Sequence, residues 1–156
     1  RARKVDGVQS ELFDAGFQCV RFYEPKDKVL VGAEDGAINI FNNGEWGNIS
    51  NRFPIRGSIG KRRGQCSVDN LEVLSENHTI VGCSDGKIKI LSMFPNKVVC
   101  EREGHRSSVE SLAISKSKDR VATTSDNTIF IHEFKECEES EEIVQKAAKS
   151  NFFSDL

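Results

Sequence analysis

The sequence predicts an all-β chain assembled from repeated antiparallel hairpins, and three stretches carry that prediction. Residues 30–41 (LVGAEDGAINIF), 80–91 (IVGCSDGKIKIL) and 121–132 (VATTSDNTIFIH) each read as an apolar strand, an acidic turn and a second apolar strand. Their turn aspartates Asp35, Asp85 and Asp126 lie 50 and 41 residues apart, close to the roughly 40–45-residue period of a four-stranded propeller blade. A hairpin of this size buries too little surface to stand alone, so copies must stack on one another. The expected fold is a β-propeller comprising about three blades, with function on the surface the copies share.

Apolar segments before each hairpin, and after the first two, complete the blades. The first blade is expected near 17–53, with strands at 17–23, 29–33, 37–41 and 49–53. The second lies near 67–102, with strands at 67–73, 79–83, 87–91 and 98–102. The third, near 109–134, has strands at 109–114, 120–124 and 128–134, and its fourth strand is missing or irregular. Turn chemistry supports these assignments, because Asp35-Gly36 and Asp85-Gly86 supply the positive φ of a tight hairpin. Asp126-Asn127 is the same device with Asn in place of Gly. Residues 87–90 alternate polar and apolar, as do 37–41 and 128–132.

Residues 1–134 thus form a partial propeller, and 135–156 a different kind of segment. Glu136, Glu138, Glu139, Glu141 and Glu142 make an acidic tail, and Phe152-Phe153 stand near its end. Such acidic runs are usually solvated. The paired phenylalanines suit a short docking segment or packing against the propeller itself. Three blades cannot close a ring, which needs about four to eight. The chain is therefore expected to be a fragment of a longer polypeptide or to complete its ring by association.

Composition fits a folded chain: 37% of residues are hydrophobic, 29% are charged, and the net charge of −2 exerts no general pull on nucleic acid. No apolar run reaches the roughly 18 residues of a membrane helix, and the expected setting is soluble and intracellular. Cys19, Cys66, Cys83, Cys100 and Cys137 are scattered singly, without paired spacing, and imply a reduced compartment. The first four fall in or beside strands and read as small apolar packing residues. The sequons at Asn48 and Asn77 read as chance matches.

Gly104-His105, the turn at Asp126 and the strand after it resemble a WD repeat. The resemblance implies a buried hydrogen-bonded set of His105, Thr124 and Asp126, with His132 where that family places a Trp. The chain also resembles the WD repeat-containing protein 55 family through residues 38–46, 50–53 (SNRF), 84–86 (SDG), 94–99 (FPNKVV) and the terminal Phe152-Phe153. That resemblance implies about three blades of a ring of about seven. It also implies a nuclear and nucleolar setting, with the cytoplasm as a further compartment, and a role in ribosomal RNA processing and large-subunit assembly.

In an antiparallel meander the Asp-Gly turns and the interblade loops share one rim. The candidate partner-binding residues there are Glu34, Ser84 and Ser125, together with Lys61, Arg62 and Arg63 in the 57–65 loop. Asp35, Gly36, Asp85, Gly86, His105, Thr124 and Asp126 read as structural repeat residues, one set per turn. A mobile cationic loop suits RNA phosphate or an acidic protein segment, although three basic residues between glycines are more often simply solvated. His78 and His132 lack companions at metal spacing. With no nucleophile, acid–base pair or phosphate loop in view, the sequence reads as a non-catalytic scaffold for proteins of pre-ribosomal particles, without cofactor or metal. Direct RNA binding through the basic loop and a substrate-receptor role in a ubiquitin ligase are the alternatives, the latter on fold analogy alone.

Overall fold

The computed structural model describes residues 6–55 and 66–134. Among these, eleven strands form three antiparallel sheets, each made of consecutive segments of chain. The first sheet contains β1 (Phe17–Tyr23), β2 (Lys28–Ala33), β3 (Ala37–Asn42) and β4 (Asn51–Pro54) in sequence order. The second contains β5 (Val68–Val73), β6 (His78–Cys83), β7 (Ile88–Ser92) and β8 (Lys97–Arg102). The third contains β9 (Ser111–Ile114), β10 (Arg120–Ser125) and β11 (Thr128–Glu133). Strand β1 packs against β5, and β5 against β9, so the first strands of the three sheets run beside one another. This is the arrangement of consecutive propeller blades, and it bears out the all-β partial propeller.

Apolar faces between the sheets hold the stack together. Leu30, Ile38 and Ile40 of the first sheet meet Val68, Leu71, Val81 and Cys83 of the second, and Ile80 and Ile88 meet Leu112 and Val121 of the third. Each fully buried aliphatic side chain contributes roughly 1.5–3 kcal/mol. Strands β2 and β6 are covered on both faces, which explains why they read as near-continuous apolar runs.

Two strand starts, those of β4 and β9, fall two residues later than the sequence expectation, each for an identifiable reason. Strand β4 starts at Asn51 rather than 49, because Ile49 turns back, with Trp46, onto Val29, Val31 and Phe41. Strand β9 starts at Ser111 rather than 109. The Val109 N–H instead crosses to the second sheet and donates to the Cys83 carbonyl at 3.1 Å. Strand β11 carries the expected alternation, yet Ile129 and Ile131 are 71% and 59% exposed. Among the described residues no further strand or sheet covers that face. The acidic tail, Cys137 and Phe152-Phe153 lie outside the described residues.

The third hairpin is not in register with the other two. In the second sheet Cys83 N–H donates to Lys87 O at 3.0 Å, leaving Ser84, Asp85 and Gly86 as a three-residue turn with Gly86 at φ 78. The first sheet matches it, with Gly32 opposite Ile38 and Gly36 at φ 75. In the third, Ser125 pairs with Thr128 across a two-residue turn, and Asp126 itself takes the positive φ of 48. Aligning the three aspartates therefore displaces β10 by one residue. A displacement of one residue exchanges the two faces of a strand. Val121, Thr123 and Ser125 are buried, whereas Thr124 points to the other side.

Candidate functional site

The turns and the interblade loops share one rim, as strand alternation implied. The Ile55 N–H donates to Gly36 O at 2.8 Å and the His105 N–H to Gly86 O at 2.9 Å. On this rim Glu34 Oε1 accepts from the Gly16 N–H at 3.0 Å, and Ser84 Oγ accepts from the Ser67 N–H at 3.0 Å. Both side chains thus anchor the entry to their own sheet's first strand. Ser125 requires a correction, since it is 1% exposed and its side chain faces the sheet interior rather than a partner. The shifted third hairpin is the cause. Asp35 Oδ1 and Asp85 Oδ1 accept from the Ala37 and Lys87 N–H groups within their turns, each at 3.2 Å. Asp35 also pairs with Arg52. Asp14, Ala15, Glu34 and Asp35 line an open hollow on this rim. Lys61, Arg62 and Arg63 lie outside the described residues.

His105 is buried, and its partners differ from the expected set. Its Nδ1 lies 3.1 Å from Thr128 Oγ1 and its Nε2 lies 3.0 Å from Thr123 Oγ1. The Thr128 hydroxyl already donates to the Ser125 carbonyl at 2.9 Å. It must therefore accept from Nδ1–H, leaving Nε2 to accept from the Thr123 hydroxyl. With both ring nitrogens occupied, Asp126 does not orient the ring, and Thr123 replaces Thr124 because of the one-residue shift. Phe130, opposite Thr123 on β11, packs edge-on against the imidazole at 4.9 Å between centroids. Phe130, and not His132, thus supplies the aromatic contact to the His105 ring.

His132 stacks on Phe130 at 6.0 Å, and its Nε2 is buried without a hydrogen-bond partner. Burial first, and then the positive charge of Arg102 among its neighbours, lower its pKa below the ordinary 6.5. The unfolded chain accordingly binds that proton more readily, so protonation opposes folding, and stability declines as pH falls from the unfolded value through the lowered folded value. Urea midpoints compared between about pH 7.5 and 5.5 are expected to fall less steeply for His132→Phe than for the unaltered chain. Parallel slopes would show that His132 does not titrate against folding.

The second sheet brings together two cysteines that read from the sequence as packing residues and an aspartate that reads as a turn residue. Cys66, Cys83 and Asp85 bring their sulfur and carboxylate atoms within 4.8 Å of one another. The Cys66 thiol is pulled down to about 7 by its hydrogen bond with Cys83, against the effect of burial. Cys83 retains the shared proton, and its pKa is driven up by that hydrogen bond and by burial. Lys87 Nζ bonds Glu101 at 2.6 Å and pairs with Glu103 at 3.2 Å, which raises its pKa. Burial pushes the Glu101 carboxyl up, but Lys87 and Lys89 outweigh it and the net shift is downward. Lys89, fully buried, reaches Glu101 Oε2 only at 3.5 Å.

Residues 96–133 match the family model described as WD domain, G-beta repeat. The chain is 27% identical over 137 residues to the WD repeat-containing protein 55 homolog of Aedes aegypti, covering 87% of this chain and 28% of that protein. It is 27% identical over 130 residues to WD repeat-containing protein 55 of Arabidopsis thaliana, covering 83% and 35% respectively. With the Mus musculus protein of that name it shares 34% identity over 89 residues, covering 56% and 21%. The chain thus spans about a third or less of these relatives' length. A chain in the crystal structure of the mitotic checkpoint complex superposes with a TM-score of 0.64 at 18% identity, covering 79% of this chain and 37% of that one. At that identity the likeness concerns the fold alone.

Proposed function

We propose that this WD-repeat chain, similar to WD repeat-containing protein 55, is a non-catalytic scaffold whose turn-bearing rim docks proteins of pre-ribosomal particles in the nucleolus and nucleus. WD repeats and this relationship support protein interaction as the general role. The assignment to ribosomal RNA processing and large-subunit assembly rests on the family resemblance. The observation that carries the reading is similarity to one kind of WD-repeat protein across 87% of the chain. Purification of the intact protein from cells, followed by mass spectrometry, is expected to recover large-subunit assembly proteins. Their consistent absence would remove the proposed setting while leaving the propeller unaffected.

The exposed apolar faces at both ends of the stack support the view that further sheets cover them. Val20 and Phe22 are 54% and 67% exposed on the first sheet, and Ile129 and Ile131 are exposed on the third.

Direct RNA binding is less well supported on the described part of the rim, because the carboxylates of Asp14, Glu34 and Asp35 line its hollow and disfavour phosphate. Changing Lys61, Arg62 and Arg63 together to Ala is therefore expected to leave particle association within about twofold at low and high salt. Crosslinks to RNA that vanish in this variant would favour the RNA-binding reading instead.

A further inference from the structure

The geometry points to Cys66, Cys83 and Asp85 as a three-ligand site for a thiophilic divalent cation of the zinc type, with the buried Lys89 ammonium as its counter-charge. This inference is independent of the proposed particle association.

The donors converge because of strand register. Val68 pairs with Cys83, and Ser84 N–H donates to Ser67 O at 3.2 Å, which brings Cys66 opposite Asp85. Asp85 follows Cys83 by two residues, in the turn that β6 leads into. Their donor atoms and the Cys66 sulfur all fall within 4.8 Å of one another.

The first sheet provides an internal comparison. Its Gly16–Glu34 backbone pair matches Ser67–Ser84, so Cys66, Cys83, Asp85 and Lys89 correspond to Ala15, Ala33, Asp35 and Asn39. The aspartate is needed for the turn in both sheets, as its hydrogen bond shows. The sulfurs are not, because alanine satisfies the same fold at both positions. Where the thiols appear, the buried Asn is also replaced by a buried Lys.

That lysine is the second, independent observation. Lys89 pairs with Val81 and so lies on the same face of the sheet as Cys83. Its Nζ is fully buried without a hydrogen-bond partner, and Glu101 Oε2, at 3.5 Å, likewise has none. Glu101, its ion-pair partner, is shared with Lys87, so the buried Lys89 ammonium gains from any further anion that faces it. A divalent cation held by two thiolates and one carboxylate carries a net charge of minus one, which Lys89 neutralises.

Register also weighs against a disulfide between the two cysteines. Cys66 and Cys83 stand on a cross-strand diagonal, where Cα atoms are about 7–8 Å apart, and a disulfide wants about 4.4–6.8 Å. Side-chain tips meet where backbones do not, which suits a shared ion. Two sulfur donors select a zinc-like or softer metal over magnesium or calcium.

Titration of the reduced, metal-free chain with cobalt(II) is expected to produce a thiolate-to-metal charge-transfer band saturating at one equivalent and displaced by zinc(II). Cys66→Ala and Cys83→Ala, each copying the first sheet, should abolish the band with the β circular dichroism unchanged. Lys89→Asn, copying Asn39, should weaken zinc(II) binding roughly tenfold. In the unmutated chain, zinc(II) should protect Cys66 and Cys83 from alkylation, a readout that does not depend on any variant folding. Cobalt(II) binding without a thiolate band, a band that survives both alanine variants, or alkylation unaffected by zinc(II) would overturn the site.

Discussion

Gly86→Ala is expected to destabilise the chain by about 2–4 kcal/mol. Gly86 has φ 78, a region in which an L-residue pays about 1–2 kcal/mol. A Cβ there would also stand 2.1 Å from the His105 carbonyl oxygen and 2.8 Å from that of Ser107. Both obstacles are backbone atoms, so no rotamer change relieves the contact and the interblade loop must move. Gly44 supplies the control, because its φ of 88 is equally left-handed but nothing lies within 4 Å of a Cβ at that position. Gly44→Ala should therefore cost only the backbone strain of about 1–2 kcal/mol. Urea unfolding of the two variants separates backbone strain from the close approach of turn and loop. Equal losses would mean that the turn does not press on the loop as described.

His105→Ala is expected to cost about 2–4 kcal/mol. It removes the edge-on contact with Phe130 and strands the buried Thr123 hydroxyl. The paired threonine variants give the sharper result. Thr123→Val should cost about 1–3 kcal/mol by depriving Nε2 of its donor, whereas Thr124→Val should remain within about 0.5 kcal/mol. Thermal melts measure the difference, and nitrogen-15 shifts of the imidazole should report the Nδ1–H tautomer that Thr128 imposes. A larger loss at Thr124 would restore the hydrogen-bonded set implied by the family resemblance and contradict the two-residue turn.

Much of this architecture is legible in the sequence. The β2–β3 and β6–β7 hairpins announce themselves through Asp-Gly turns between alternating apolar residues, and these are local signals with a fixed period. The strand order of each sheet followed, as did the shared rim, because a meander of consecutive strands has few ways to connect. The third hairpin misled because Asp126 aligns with Asp35 and Asp85 in the chain, while its turn is one residue shorter in space. Nothing in a single sequence marks that difference, yet it decides whether Thr123 or Thr124 meets His105.

The cysteine cluster was hidden for a related reason. Cys66 and Cys83 are far apart in sequence and lack paired spacing, and only the pairing of β5 with β6 brings them together. Comparing positions 15, 33 and 39 with 66, 83 and 89 would have shown two alanines becoming cysteines and an Asn becoming Lys, but a repeat comparison of this kind requires the register first. The residues alone settled that this chain makes hairpins and stacks them, since hydrogen-bonded turns and apolar periodicity act over a few positions. Which face each side chain presents, which side chains are buried and which groups meet were left to the packing of sheet on sheet, because those depend on register and on neighbours some twenty to fifty positions away.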